Sequence, residues 1–284
     1  MPKALAILIL VFLSVGSRAV GAAPLQTQFV VVAAHLPAAG GTNWASDLRI
    51  YNPADTDATA GLTFLPAGSD NSSAPEVSVT VGAGKTLLLT DLVLTTFGVQ
   101  STGAIQIRSS SPLVVSSSTY LATPNPYPGT TVPRKETFQS TAVDQTEWSS
   151  PAKRVLFVAN RFRDVEAGQS LPDSTTNVGF FNPGVDVVNV VLDLIDQEAS
   201  AHLGGMMISL PPKGFTQIVD LFAAFGATDV RTENATLSIA AYLARDFAPE
   251  PQPVLAYAVR QTATYDASGG FVKQADFLPA QRLP

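Results

Sequence analysis

The stretch Glu76-Val77-Ser78-Val79-Thr80-Val81 alternates apolar and polar side chains with a period of two. An extended strand with that pattern turns its valines to one face and its polar residues to the other. Runs of similar length, rich in β-branched and aromatic residues, recur at 29–34, 48–52, 58–65, 77–81, 86–89, 104–108 and 113–120. A second series follows at 155–159, 178–182, 187–195, 206–210, 215–219, 235–241, 254–262 and 271–277. Clusters of Gly, Pro, Asn, Asp and Ser separate the runs, as tight turns require. About seven strands per series, spaced by about ten residues, predict a β-sandwich for each. One short helix interrupts each series. The segment 90–98 carries Asp91 where an N-cap is wanted and ends on Gly98, suited to a left-handed C-cap, and 219–226 repeats the design with Asp220 and Gly226. Leu92 with Phe97, and Leu221 with Phe225, are then placed to plug one end of each sandwich.

The two series are a duplication. Ser46-Asp47-Leu48-Arg49-Ile50-Tyr51-Asn52-Pro53 is answered by Thr176-Asn177-Val178-Gly179-Phe180-Phe181-Asn182-Pro183, 130 positions later. Lys85, Asp91-Leu92 and Phe97-Gly98 return in order as Lys213, Asp220-Leu221 and Phe225-Gly226. A repeat of this length is a whole domain, because solenoid and propeller repeats run to about 20–50 residues. The expected organisation is a signal peptide at 1–22, a sandwich at 23–150 whose last part, about 123–150, is a proline-rich connector, and a second sandwich at 151–284. Part of that connector matches the tail of the second unit and is expected to hold an edge strand. Each unit is expected to fold separately.

The leader follows the physics of export. Lys3 precedes an apolar run at 4–15, and small residues follow, with Ala22 the favoured cleavage position. That run is too short to cross a bilayer as a helix, which takes about 20 residues, and no second long apolar run follows. The expected location is periplasmic, cell-surface or extracellular. The chain has no cysteine, so disulfides and thiol-based metal or catalytic sites are excluded. Its formal net charge is −6, and loss of the leader with Lys3 and Arg18 makes it more negative, which argues against nucleic-acid or anionic-membrane partners.

Candidate chemistry is sparse. Gly82-Ala83-Gly84-Lys85-Thr86 ends like a phosphate-binding loop, but the first glycine that motif needs falls on Val79, and the duplicate reads Pro211-Pro212-Lys213-Gly214. A turn explains both. His35 and His202 do not match between repeats and have no zinc spacing. No nucleophile elbow is present. The carboxylates Asp193 and Asp196, or Asp229 and Glu233, are close in sequence without showing the separation glycoside hydrolysis needs. Asp55, Asp57 and Asp70 lie in turns, where local hydrogen bonding accounts for them without a metal. No metal and no cofactor is expected. Asn71-Ser72-Ser73 and Asn234-Ala235-Thr236 have the form of glycosylation acceptors. Trp44, Tyr127 and Trp148 fall in expected loops or the connector and are the candidate ligand-binding residues, able to stack on sugar rings or anchor a protein.

The segment 43–53, with Leu62-Thr63-Phe64-Leu65-Pro66, Thr90-Asp91-Leu92, Phe97-Gly98 and the closing Phe277-Leu278-Pro279-Ala280, resembles secreted bacterial tandem immunoglobulin-like sandwiches of the CARDB-like, cell-surface adhesion type. Asn182-Pro183-Gly184 fits the turn after the second strand of such domains, and Asn52-Pro53-Ala54 departs from it at its third residue. The resemblance implies an all-β fold and no catalytic residues. The expected function is a non-catalytic secreted or surface structural or adhesion module. The alternatives are recognition of a cell-surface polysaccharide or extracellular protein through exposed aromatics, and a small secreted hydrolase or an accessory domain of one.

Overall fold

The computed structural model describes residues 25–37, 43–122, 135–144, 151, 153–160, 173–245, 251–265 and 271–282. The expected leader, Tyr127 and Trp148 lie outside the described residues. The first unit comprises β1 (Gln26–Ala34), β2 (Leu36–Pro37), β3 (Asn43–Tyr51), β4 (Ala58–Pro66), β5 (Glu76–Val81), β6 (Thr86–Leu89), α1 (Leu92–Thr95), β7 (Thr102–Ser109), β8 (Val114–Ala122) and β9 (Lys135–Thr141). The second comprises β10 (Arg154–Asn160), β11 (Asp173–Phe181), β12 (Val188–Asp196), β13 (Ala201–Leu210), β14 (Phe215–Ile218), α2 (Leu221–Ala224), β15 (Thr232–Leu243), β16 (Leu255–Tyr265), β17 (Phe271–Pro279) and β18 (Gln281–Arg282). Among the described residues the first unit exceeds its seven expected strands by the two-residue β2 and by β9, in the stretch expected to be connector, and the second exceeds its eight expected runs by the two-residue β18.

The fold is all-β, and the duplication is topological as well as sequential. The order β1-β7-β4-β5 in one sheet corresponds to β10-β15-β12-β13 in another. Opposite these, β3 lies between β6 and β8 with β9 outside β8, and β11 lies between β14 and β16 with β17 outside β16. After β9 the chain crosses back to β1, where Phe29 and Val143 exchange backbone hydrogen bonds of 2.9 and 2.8 Å. β18 makes the same return to β10.

Alternation builds the two inner cores. Along β12, Val188, Val190, Leu192 and Leu194 are buried and the residues between them half-buried. They pack with Phe180, Leu237 and Ile239, while Leu48, Ile50, Leu62 and Ile105 form the corresponding core of the first unit. The helices close these cores as expected. Leu92 and Val93 are fully buried, as are Leu221 and Phe222, and Phe97 stacks on Phe64 at 5.7 Å.

A third apolar cluster joins the units. It contains Phe29, Val31, Val32, Leu65 and Ala104 from the first and Phe181, Phe215, Leu255, Tyr257 and Val259 from the second. These side chains belong to the outer faces of β1-β7-β4 and of β14-β11-β16, so the four sheets stack as successive layers. The stretches 29–34 of β1 and 255–259 of β16 are therefore covered on both faces, which is why they are unbroken apolar runs. Phe29 meets Phe181 with ring centroids 4.8 Å apart, and Tyr257 lies between Phe215 and Phe277 at 6.3 and 5.4 Å. Tyr257 also lies flat over Gly179, where any Cβ would overlap its ring.

Candidate functional site

The turn residues singled out by the duplication have an architectural use. Asn52 is fully buried. Its Nδ2 donates to the carbonyls of Thr56 (2.8 Å), Val81 (3.0 Å) and Gly82 (3.3 Å), and its Oδ1 accepts from the Ala54 amide at 3.0 Å. Asn182, equally buried, donates to Asp186 (2.8 Å), Pro211 (2.9 Å) and Leu210 (3.4 Å) and accepts from Gly184 at 2.8 Å. Each asparagine thus ties the loop after its strand, begun by Pro53 or Pro183, to the hairpin of the neighbouring strands. Ser46 and Thr176 form a second matched pair. The Ser46 hydroxyl accepts from the Ala34 amide at 2.9 Å, and the Thr176 hydroxyl donates to the Ala159 carbonyl at 2.7 Å.

The densest titratable group sits beside α1. Asp47 Oδ1 accepts from the Asp91 amide and from the Tyr120 hydroxyl, both at 2.9 Å. The Asp91 carboxylate in turn meets His35 Nδ1 at 2.9 Å. This corrects the expectation that Asp91 caps its helix. Its side chain makes no hydrogen bond to the first turn, and the imidazole takes the carboxylate that the cap would have used. Asp220 keeps the capping role, accepting from the Ala223 amide at 3.2 Å, while Asn177 stands in for Asp47 and accepts from the Asp220 amide at 2.9 Å. An imidazole–carboxylate pair can hold or relay a proton, yet here it is built into the wall of a sandwich. Among the described residues Asp91 is the side-chain partner of this imidazole, and no nucleophile is joined to it.

The other sequence candidates scatter. Trp44 is half-buried, paired in register with Leu36 and Leu121, on the face of β3 that continues into Leu48 and Ile50. Asp193 and Asp196 lie on opposite faces of β12. Asp196 is buried and accepts from the Thr232 hydroxyl and the Glu198 amide, both at 2.9 Å, whereas Asp193 is half-buried and 3.5 Å from His202 Nε2. The Gly-Lys-Thr stretch is a hairpin turn in which the Asp57 carboxylate holds the Ala83 amide at 2.9 Å. Asp70 accepts from the Ser72 amide, which holds its carboxyl below its ordinary value. A shallow surface hollow lined by Gln26, Gln28, Ile107, Ser109, Ser111 and Leu113 has no enclosed room even for a water molecule, far from the roughly 300–1,000 Å³ of ligand pockets.

No protein family and no curated protein matches the chain. A β-glucuronidase of Bacteroides uniformis, covalently bound to cyclophellitol-6-carboxylate aziridine, aligns at 10% identity over 85% of this chain and 26% of its own, with a TM-score of 0.16. A β-glucuronidase of glycoside hydrolase family 2 aligns at 8% identity over 91% and 30%, also with a TM-score of 0.16. The chain spans less than a third of the length of either enzyme, and at this TM-score the likeness carries no argument.

The residues that sequence reasoning missed lie at the contact between units. Asn71, read as a glycosylation acceptor, is buried there, and its Nδ2 donates to Pro66 (3.1 Å) and to Lys213 (2.9 Å). A glycan on that nitrogen does not fit the folded state. Gly68 donates to the Phe215 carbonyl at 2.9 Å and Asn71 to that of Pro212 at 3.2 Å. Lys213 turns its ammonium to the Pro183 carbonyl and stands 5.4 Å from the centre of the Phe29 ring, where burial lowers its pKa. The hairpin that duplicates the apparent phosphate loop is therefore a docking element.

Proposed function

We propose that the chain is a non-catalytic structural or adhesion module that acts after export, at the cell surface, in the periplasm or outside the cell. The observation that carries this reading is the apolar layer between the units. Phe29, Phe181, Phe215 and Tyr257 are essentially inaccessible to solvent, and the loop around Asn71 clasps the 211–214 turn across the same boundary. Burying such a layer stiffens a tandem that a flexible linker would leave free, and stiffness suits a spacer or a scaffold. The polar groups support the same reading, since Asn52, Asn182, Asp47 and Asp196 spend their hydrogen bonds inside the fold rather than on a cleft. The partners proposed are a cell-surface polysaccharide or another extracellular protein.

The test is binding of the labelled chain, freed of its leader, to whole cells and isolated surface polysaccharides, alongside a turnover screen on glycosides, esters and peptides. Saturable binding without turnover is expected. Turnover abolished by His35→Ala or by Asp91→Asn, with the fold retained, overturns the proposal.

A further inference from the structure

The contact between the units joins unlike faces. The first unit offers the outer face of β1-β7-β4, and the second offers that of β14-β11-β16, whose counterpart in the first unit is β6-β3-β8. The registers match position by position. Phe181 stands opposite Phe215 and Leu255, as Tyr51 stands opposite Thr86 and Val114. Leu65 stands opposite Ala104, as Ile195 stands opposite Thr236, and Phe157, also opposite Thr236, takes the place of the β1 bulge at Val31 and Val32.

Each counterpart face has an open part where exposed apolar side chains collect, although on the first Ala45, Asp47, Ser118 and Tyr120 of the same face are buried. Tyr51, Leu88 and Val114 are 39%, 49% and 61% exposed on one. Phe157 and Met207 are 51% and 65% exposed on the other, with Val155, Val191 and Ala240 half-buried around them. Arg49 lies on the first face and Asp193 on the second, so their charges are complementary.

We propose that these faces bind each other between copies of the chain, the β10-β15-β12-β13 face of one stacking on the β6-β3-β8 face of the next. The occupant is a second copy because the buried counterparts of the same two faces already meet inside every molecule. A contact between unlike faces does not close on itself, so it leaves one free face of each kind and adds copies head to tail. Arg49 stands where the internal contact has Gly179, Ser116 where it has Tyr257, and Thr86 where it has Phe215. The contact between copies is accordingly weaker than the internal one and follows concentration.

Sedimentation of the chain without its leader, which retains every described residue, over roughly 1 μM to 1 mM spans moderate to weak contacts. The weight-average mass is expected to climb past the dimer without a plateau. Tyr51→Asp and Phe157→Asp each break one face of every copy, so each alone is expected to remain monomeric. Mixed one to one, they retain one good face apiece and are expected to form a dimer that grows no further. Val114→Asp with Met207→Asp is run in parallel, with melting curves confirming folded variants. A native chain monomeric throughout, a single variant that associates like the native chain, or a mixture that stays monomeric overturns the proposal.

Discussion

Replacing Asn182 with alanine removes the donor of two well-formed hydrogen bonds, to the Asp186 and Pro211 carbonyls, a longer third to Leu210, and the acceptor for the Gly184 amide. A buried polar group left without its partner costs about 1–3 kcal/mol. The carbonyls of Asp186 and Pro211 are only part-buried, so entering water relieves some of that loss, and we expect Asn182→Ala to lower stability by about 3–4 kcal/mol. Against a total of roughly 5–15 kcal/mol for a folded domain that is a large fraction. Urea unfolding at neutral pH, followed by far-UV circular dichroism, reads it as a shift of midpoint at constant slope. Asn52→Ala is expected to lose a similar amount, since its four contacts are the same in kind. Asn182→Asp separates hydrogen bonding from volume. It retains size and the acceptor for Gly184 but sets an oxygen against carbonyl oxygens, so it should destabilise at least as much as alanine. A loss below about 1 kcal/mol for alanine, or an aspartate variant near the native midpoint, refutes the clamp.

Tyr257→Phe removes a buried hydroxyl that has no hydrogen-bond partner among the described residues and should raise stability by about 1–2 kcal/mol, measured in the same urea assay. Burial also raises the phenol's pKa above its ordinary 10.0; above that pH the unfolded chain ionises first, so stability falls with rising pH, and Tyr257→Phe should blunt the fall in an alkaline titration. Lys213 acts in the opposite sense: its lowered pKa makes stability rise as pH climbs toward the ordinary 10.5, a slope that Lys213→Met should flatten. Asp220→Ala should lower stability by about 1 kcal/mol as a lost cap, whereas the effect of Asp91→Ala should be coupled to that of His35→Ala in a double-mutant cycle by at least about 0.5 kcal/mol.

Period-two alternation made the half-buried strands readable, and β5 follows it residue by residue. The double-faced strands also carried a signal. Phe29-Val30-Val31-Val32-Ala33-Ala34 and Val254-Leu255-Ala256-Tyr257-Ala258-Val259 are unbroken apolar runs, which mark strands covered on both faces, and such coverage needs a partner beyond one sandwich. The identity of that partner was not readable, because the contacting residues are far apart in the chain; Asn71 and Lys213 are separated by 142 positions. Asn52 and Asn182 stood out as turn residues, but their hold on a neighbouring hairpin depends on strand pairing that no local pattern encodes. His35 closes one of the unbroken runs, and nothing near it in sequence announces Asp91, 56 positions on. The expected leader, Tyr127 and Trp148 lie outside the described residues, and of the three candidate aromatics Trp44 is the one described, on an inward face.

The central claim is that one apolar layer makes two sandwiches a single body, and guanidinium unfolding of the intact chain against its halves, 23–150 and 151–284, tests it most directly. Separate sandwiches would give two transitions at the midpoints of the isolated halves. The buried layer predicts instead one transition for the intact chain, at a higher denaturant concentration than either half alone, and a lowered single midpoint for Phe181→Ala, which removes about 3–5 kcal/mol of packing. Halves whose midpoints equal two resolved transitions of the intact chain, unmoved by Phe181→Ala in the first unit, would contradict it.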